Sequence, residues 1–112
     1  MTKLESLPTQ FSRKKVKIHP NHPGNWKVDS LYIDSDPKTA EWECLGCAIF
    51  VMFPQAHTPL ANGETEVSGQ DTVGAQLDAN AVGYYAYCIL IQDANGDFHI
   101  AEGNSPPDMI IE

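Results

Sequence analysis

Two short motifs in this sequence carry residues that commonly bind metal ions. His19-Pro-Asn-His22 and Cys44-Leu-Gly-Cys47 each place two residues between two ligands, a gap that lets both side chains reach one ion. If the strands run up and down in order, the turn after the first strand and the turn after the third lie at the same end of the domain. The two pairs would then meet, and a tetrahedral zinc site at His19, His22, Cys44 and Cys47 is sterically possible.

Other properties of these motifs favour a metal-free interpretation. A domain with its own core folds without structural zinc, and the order of the pairs is reversed relative to common zinc fingers. Histidine beside proline is also an ordinary turn residue. A redox Cys-x-x-Cys pair works at a helix N-terminus, whereas Cys44 and Cys47 are expected between strands. We therefore expect two reduced, partly buried cysteines and no cofactor, with zinc as the alternative.

The sequence shows no pattern typical of an enzyme. It contains no G-x-S-x-G, no G-x-G-x-x-G and no phosphate-binding loop, and His57 has no serine or cysteine at a motif spacing. Asp93-Ala-Asn-Gly-Asp97 resembles the start of a calcium loop, but Gly96 comes too early for that motif, so a hairpin turn is the better interpretation. We expect a protein that is not an enzyme.

Length and composition predict one domain. The chain has 112 residues, 42% of them apolar, which is enough for a core without disulfides. We divide it into an N-terminal arm, residues 1–12, and a domain, residues 13–112. No apolar run approaches the roughly 18 residues of a membrane span, and the N-terminus does not look like a secretory signal, unless one was removed earlier. We therefore expect a cytoplasmic protein.

Charge is distributed unevenly along the chain. All seven Lys and Arg lie within residues 1–38, whereas residues 39–112 carry eleven Asp or Glu and no basic residue. An acidic body repels nucleic acids and anionic membranes, because both are bound largely through Lys and Arg contacts to phosphate. We expect neither as a partner. An unidentified protein or small ligand is left, and the oligomeric state is open.

Short alternating segments predict the strands that must position these residues. We expect strands at Lys14–His19, Trp26–Asp34, Thr39–Glu43 and Ala48–Phe53. The first two are separated by the proline-rich turn His19–Asn25, and the last two by the cysteine motif. Residues 55–80 predict a long irregular connection with one strand around 64–67 and another near 72–77.

The C-terminal part predicts a hairpin and a closing strand. Tyr85, Tyr87, Ile89 and Ile91 alternate and should share a buried face, and Asn95-Gly96 supplies residues that adopt the positive φ of a tight turn. No segment has a sustained helical apolar pattern. The fold class is therefore all-β.

Three segments carry a resemblance to a known family. They are an aromatic-V-x-F-P strand, FVMFP from Phe50 to Pro54, then a G-x-Y-x-Y strand, GYYAYCI from Gly83 to Ile89, and a closing D-x-I-I, DMII from Asp108. Together with the early Trp-bearing strand, they resemble the cupredoxin-like β-sandwich, and most closely uncharacterised bacterial cupredoxin-like proteins, over residues 13–112. Met109 stands where the family pattern has proline. The resemblance implies an antiparallel Greek-key sandwich of about seven or eight strands.

The copper ligands that the resemblance implies are not where that family places them. A copper-carrying member needs Cys, His and usually Met around its last loop, and Cys88, His99 and Met109 are residues of those types. The family's cysteine position is Ile89 here, so Cys88 is one residue early and should face the opposite side of its strand. The position of the other histidine is Ile49. The gaps from Cys88 to His99 and from His99 to Met109 are also longer than in copper loops.

The function predicted from the sequence is therefore a binding or interaction module of cupredoxin type that has lost its copper site. The alternative is a metal protein, with zinc at the Cys/His motifs or copper in an altered geometry. The surfaces that we expect to recognise a partner are the loops around His19–Trp26, Cys44–Cys47 and Gln55–Asn80.

Overall fold

A computed structural model describes residues 13–22, 25–101 and 107–112, and the side chains of residues 13–20, 25–101 and 107–112. The expected N-terminal arm, residues 1–12, lies outside the described residues. The described residues form nine strands: β1 Lys15–His22, β2 Asn25–Val28, β3 Leu31–Ile33, β4 Thr39–Met52, β5 Glu66–Gln76, β6 Gly83–Ala86, β7 Cys88–Gln92, β8 Phe98–Ile100 and β9 Asp108–Ile111. No helix in the described part of the chain is long and apolar enough to cross a membrane.

The strands form two packed sheets, which confirms the predicted all-β sandwich. The larger sheet contains β2, β1, β4, β7 and β8 in that order, with β5 on the other side of β4, and the smaller has the order β3-β9-β6. The pairs β1–β4 and β3–β9 are parallel, and the other strand pairs of the described chain are antiparallel. Both sheets therefore contain parallel as well as antiparallel pairs, so the sandwich is not purely antiparallel as the resemblance implies.

Strand β4 organises the larger sheet. One edge of β4 pairs with β5 along both halves of the strand. Its other edge pairs first with β1, at residues 41–43, and then with β7, at residues 48–52. Strands β2 and β8 extend these two branches, and an isolated bridge between Trp26 and Ala101 joins them. The outer face of this sheet is consequently divided into a β1 half and a β7–β8 half.

The chain changes sheets at Tyr87. Ala86 ends β6 in the smaller sheet, and Cys88 begins β7 in the larger one. Tyr87 is 3% exposed, its hydroxyl accepts a 3.1 Å hydrogen bond from Nε1 of Trp42, and its ring lies 4.9 Å from that of Phe53. Side chains at such a corner contribute to the core between the sheets.

The predicted buried face is present. Tyr85, Tyr87, Ile89 and Ile91 are all at most 7% exposed, as their alternation requires. They belong to a core that also contains the fully buried Trp42. The closing strand is confirmed as β9.

Three predicted strand boundaries are wrong. Trp26–Asp34 forms two strands in different sheets, because the chain leaves β2 after Val28 and enters β3 at Leu31. The cysteine motif does not separate two strands, since β4 continues through it. Residues 66–76, where we expected one strand around 64–67 and another near 72–77, form the single continuous strand β5.

The β7–β8 turn lies at the residues that the sequence predicts, but its backbone geometry differs from the predicted one. The N–H of Asp93 donates to the carbonyl of Asp97, and the N–H of Gly96 donates to the carbonyl of Asp93, both at 2.9 Å. Gly96 has φ +89°, whereas Asn95 is not among the residues with positive φ. This turn therefore uses one left-handed residue, in glycine, rather than the expected pair.

Candidate functional site

The cysteine motif forms a bulge in β4. Glu43 pairs with Thr72 and Ala48 with Gln70, so the four residues from Cys44 to Cys47 lie opposite the single residue Asp71. Gly46 adopts φ +82°, and its N–H donates a 2.8 Å hydrogen bond to Oδ1 of Asp71. A left-handed glycine is what allows the chain to gain residues within a paired strand.

The two thiols of this bulge are turned into the core. Cys44 and Cys47 are 4% and 3% exposed, whereas Leu45 between them is 74% exposed. Burial raises the pKa of the Cys44 thiol to about 12, and a hydrogen bond with Cys47 and the nearby negative charge of Asp71 act in the same direction. Cys44 is consequently a protonated thiol at neutral pH, which opposes both nucleophilic reactivity and metal binding.

The histidines of the proposed zinc set lie on β1. This strand runs parallel to β4 as far as the pair Lys17–Glu43, and its later residues pair with β2. His19 is exposed, with Nδ1 3.3 Å from the carbonyl oxygen of Pro20, and the side chain of His22 lies outside the described residues. Among the side chains that the structure describes, no three His, Cys, Asp or Glu form a group that could hold a metal ion.

The residues of the copper alternative lie on different surfaces. Cys88 is exposed on the outer face of the larger sheet, and Met109 is fully buried in β9 of the smaller sheet. His99 lies on β8, with its side chain 22% exposed. Ile49 and Ile89, at the ligand positions that the resemblance implies, are core residues at 0% and 1% exposure.

His99 is engaged by two neighbours. Its Nε2 lies 2.8 Å from Oδ2 of Asp93, and its ring centroid is 5.1 Å from that of Trp26. The hydrogen bond from His99 lowers the pKa of the Asp93 carboxyl, and the N–H groups of Asp97 and Asn95 assist. This cluster joins β2 to the β7–β8 turn and therefore stabilises the hairpin.

His57 is also held by local contacts. Its Nε2 lies 2.8 Å from the carbonyl oxygen of Tyr84, to which it donates, and its ring stacks on that of Tyr85 at 4.3 Å and 15°. These contacts attach the loop after β4 to β6 and give His57 a structural role.

The outer face of the larger sheet carries a surface that our sequence reasoning missed. Phe50, Leu90 and Ile100 lie in register across β4, β7 and β8, with Met52 in one neighbouring row and Phe98 in the other. We call these five residues the apolar face. Ile100 is 61% exposed and Phe98 58%, and the other three are partly exposed.

The other half of the same sheet face is charged. Beyond the cysteine bulge, β4 presents Glu41 and Glu43 beside Lys15 and Lys17 of β1. Nζ of Lys15 lies 3.4 Å from Oε2 of Glu41. This half therefore has the charged composition that is typical of a strand face exposed to solvent. The apolar face, on the same side of β4, does not have that composition.

A cleft adjoins the apolar face at Met52. It encloses about 410 Å³ and is lined by Met52, Phe53, Pro54, Ala86, Tyr87 and Cys88. These side chains are predominantly apolar, so the cleft extends the apolar surface toward the corner at Tyr87.

A second row of exposed apolar side chains crosses the smaller sheet. Tyr32, Ile110 and Tyr84 lie in register there, with Ile110 37% and Tyr84 55% exposed. The hydroxyl of Tyr32 donates a 2.5 Å hydrogen bond to Glu112. This row is smaller and more polar than the apolar face.

The sequence did contain a signal for the apolar face. Ala48–Phe53 is apolar at consecutive positions rather than at alternate ones, and so are Ile89, Leu90 and Ile91. Apolar side chains on both faces of a strand are typical of strands that are covered on both faces. The described structure covers only one face of these strands.

No protein-family model, curated protein or solved structure matches this chain.

Proposed function

We propose that this protein is a non-catalytic interaction module that binds a partner protein through the apolar face. The observation that carries the proposal is the register of Phe50, Leu90 and Ile100 across three strands, with Ile100 61% exposed. Burial of apolar surface stabilises an interface by roughly 25 cal/mol per Å² before the costs of association, and contiguous exposed apolar patches mark interaction sites.

The face is suited to binding because it is built on rigid elements. Phe50 and Leu90 belong to strands whose inward neighbours Ile49, Ile89 and Ile91 are at most 1% exposed. Little conformational entropy is therefore lost in ordering the backbone when a partner binds. A sheet face with aromatic and aliphatic side chains fits a protein surface better than a small polar ligand.

We also propose that the module acts without metal or cofactor and has a cupredoxin-like sandwich without copper ligands. Buried Ile49 and Ile89 at the ligand positions support this proposal, as does the protonated thiol of Cys44. The contacts that engage His57 support a structural role for that histidine rather than a catalytic one.

Site-specific photo-crosslinking in the source cells tests the interaction. A photoreactive amino acid replaces Ile100 in one variant and Thr72, an exposed residue of β5 on the charged half, in a matched control. We expect adducts with another protein from position 100 and not from position 72. The purified partner should then bind Ile100→Ser at least about tenfold more weakly, which corresponds to about 1.4 kcal/mol, and bind Thr72→Ser normally. Equal adducts from both positions, or adducts only with copies of this chain, would contradict the proposal.

A further inference from the structure

Strand β5 offers a second surface, at the edge of the larger sheet. It has eleven residues and pairs along one edge with β4. In the part of the chain that the structure describes, no strand pairs with its other edge. Backbone N–H and C=O groups on such an edge are directional hydrogen-bonding groups, and an extended peptide can satisfy them by adding a strand.

Two common protections of an edge strand, lysine and proline, are absent from β5, whose sequence is EVSGQDTVGAQ. Its pairing with β4 is interrupted at Asp71, where φ is +68° opposite the cysteine bulge, and the backbone folds closely on itself there, with the carbonyl oxygen of Thr72 2.7 Å from the position of a Cβ at Gly69. This divides the edge into two five-residue halves, Glu66–Gln70 and Thr72–Gln76.

Charge distinguishes the two halves. Glu64 and Glu66 are exposed at the start of β5, and residues 39–112 contain no Lys or Arg that would neutralise them. At the opposite end, Lys14 and Lys15 line a cleft with Gly74, Ala75 and Gln76, and the carbonyl of Lys38 accepts from the N–H of Leu77 at 3.0 Å. The Glu66–Gln70 half is therefore the acidic one and attracts a basic segment.

A second copy of this chain does not supply the basic segment that this half attracts. It carries the same Glu64 and Glu66 at the start of its own edge strand, and each chain has a net charge of −8. Edge-to-edge pairing would bring like charges together, which destabilises cross-strand pairs.

The side chains flanking this half define the pattern of the incoming segment. On the inner side Val67 is partly buried and packs against the core, so it favours an apolar neighbour. On the outer side Glu66, Ser68 and Gln70 are exposed and polar, so they favour a basic neighbour. Since side chains alternate along a strand, the segment should alternate apolar and basic residues.

We propose that the free edge of β5 at Glu66–Gln70 binds an extended segment of a partner protein, with alternating apolar and Lys or Arg residues, as an additional strand of the larger sheet. This edge adjoins the apolar face, since Glu66 and Ser68 pair with Met52 and Phe50 of β4, but a segment added to it binds the backbone groups of β5 and not the apolar side chains. The proposal therefore stands or fails independently of the proposed function.

Fluorescence anisotropy with designed peptides tests the inference on the full chain. The probe is a labelled seven-residue peptide of alternating Lys and Val, and the control alternates Glu and Val. We expect the Lys peptide to bind at least about tenfold more tightly, and Glu66→Lys to weaken it by about two- to fivefold, as for an exposed ion pair. N-methylation of the peptide's backbone nitrogens that face β5 should abolish binding. N-methylation of the nitrogens on the opposite edge of the peptide should leave binding unchanged.

Four results would overturn the inference. One is equal affinity for the Lys and Glu peptides, and another is an equal effect of N-methylation on both edges. The third is binding that appears only after residues 1–12 are deleted, which would assign the edge to the chain's own N-terminal segment. The fourth is loss of Lys-peptide binding in Ile100→Ser, which would assign the peptide to the apolar face. Unchanged binding in that variant supports the β5 edge.

Discussion

Nε2 of His99 lies 2.8 Å from a carboxylate oxygen of Asp93, across the turn that joins β7 to β8. The other carboxylate oxygen of Asp93 accepts hydrogen bonds from the N–H groups of Asn95 and Asp97, at 2.9 and 3.1 Å. One carboxylate therefore fixes the turn and orients the histidine that packs against Trp26. The hairpin held in this way displays Phe98 and Ile100 of the apolar face.

This arrangement predicts a pH dependence of stability. Folding lowers the pKa of Asp93, chiefly through the hydrogen bond from His99. The ionised carboxylate thus stabilises the folded state above the pKa of an unfolded aspartate, about 3.9, and that contribution is lost as pH falls through the lower folded-state value. Urea unfolding from pH 7 to pH 3 should show Asp93→Asn less stable than wild type at pH 7, with the difference shrinking at acid pH.

The neighbouring aspartate of the same turn provides the control for that titration. The side chain of Asp97 is exposed, and this residue contributes its backbone to the turn. Asp97→Asn should therefore follow the wild-type curve. A constant difference between Asp93→Asn and wild type across the pH range would show that the carboxylate charge plays no part.

The hydrogen bond between Trp42 and Tyr87 predicts a specific loss of stability. The indole N–H of Trp42 donates to the Tyr87 hydroxyl at 3.1 Å in the core. Tyr87→Phe leaves this buried donor without its partner, which costs about 1–3 kcal/mol. Urea unfolding should show that loss, whereas Tyr84→Phe, at a 55% exposed position, should change the free energy of unfolding by less than about 0.5 kcal/mol. Equal effects of both substitutions would contradict the buried hydrogen bond.

The hairpin strands show which parts of the fold the sequence determines. Ile89 and Ile91 are predicted correctly as buried because alternation fixes the face of a strand. The pairing partners were not predictable, since β1 meets β4 and β3 meets β9 in parallel across long stretches of chain. Alternation does not reveal which distant strand lies alongside.

The cysteine bulge and the apolar face show the corresponding limits for the site. A Gly between two cysteines was interpreted as a turn between strands, because positive φ is common to turns and bulges. Gly46 in fact serves a bulge within β4, and both thiols point inward as a result. The apolar face was missed because Leu90 and Ile100 become neighbours only through the register of β7 and β8.

The two faces of the hairpin predict opposite responses to truncation. Ile91 is fully buried, so Ile91→Ala removes packed methyl groups and should lower the free energy of unfolding by about 2–5 kcal/mol. Ile100 lies on the apolar face, so Ile100→Ala should change it by less than about 0.5 kcal/mol. Denaturant unfolding of the two variants provides the comparison. A large loss for Ile100→Ala would mean that this residue is buried in the isolated protein.

Thiol reactivity should separate the three cysteines. Cys88 is exposed, whereas Cys44 and Cys47 are buried and burial raises the pKa of Cys44 to about 12. Iodoacetamide at pH 8 should therefore alkylate Cys88 first, because the thiolate is the reactive form and needs access to the reagent. Peptide mass spectrometry should find the other two modified only after unfolding, and Cys88→Ser should remove the fast phase. Rapid labelling of Cys44 in the folded protein would contradict its buried placement.

The same thiol chemistry predicts the outcome of metal analysis. Zinc binds the deprotonated sulfur, so a site at Cys44 would have to displace a proton that burial holds on the thiol up to about pH 12. We therefore expect untagged protein purified without chelator to contain substantially less than one equivalent of zinc, and EDTA to leave its unfolding midpoint unchanged. Elemental analysis by mass spectrometry measures the first quantity and urea unfolding the second. One equivalent of zinc that is lost in Cys44→Ser and reduced in His19→Ala would instead establish the metal site that the two sequence motifs allow.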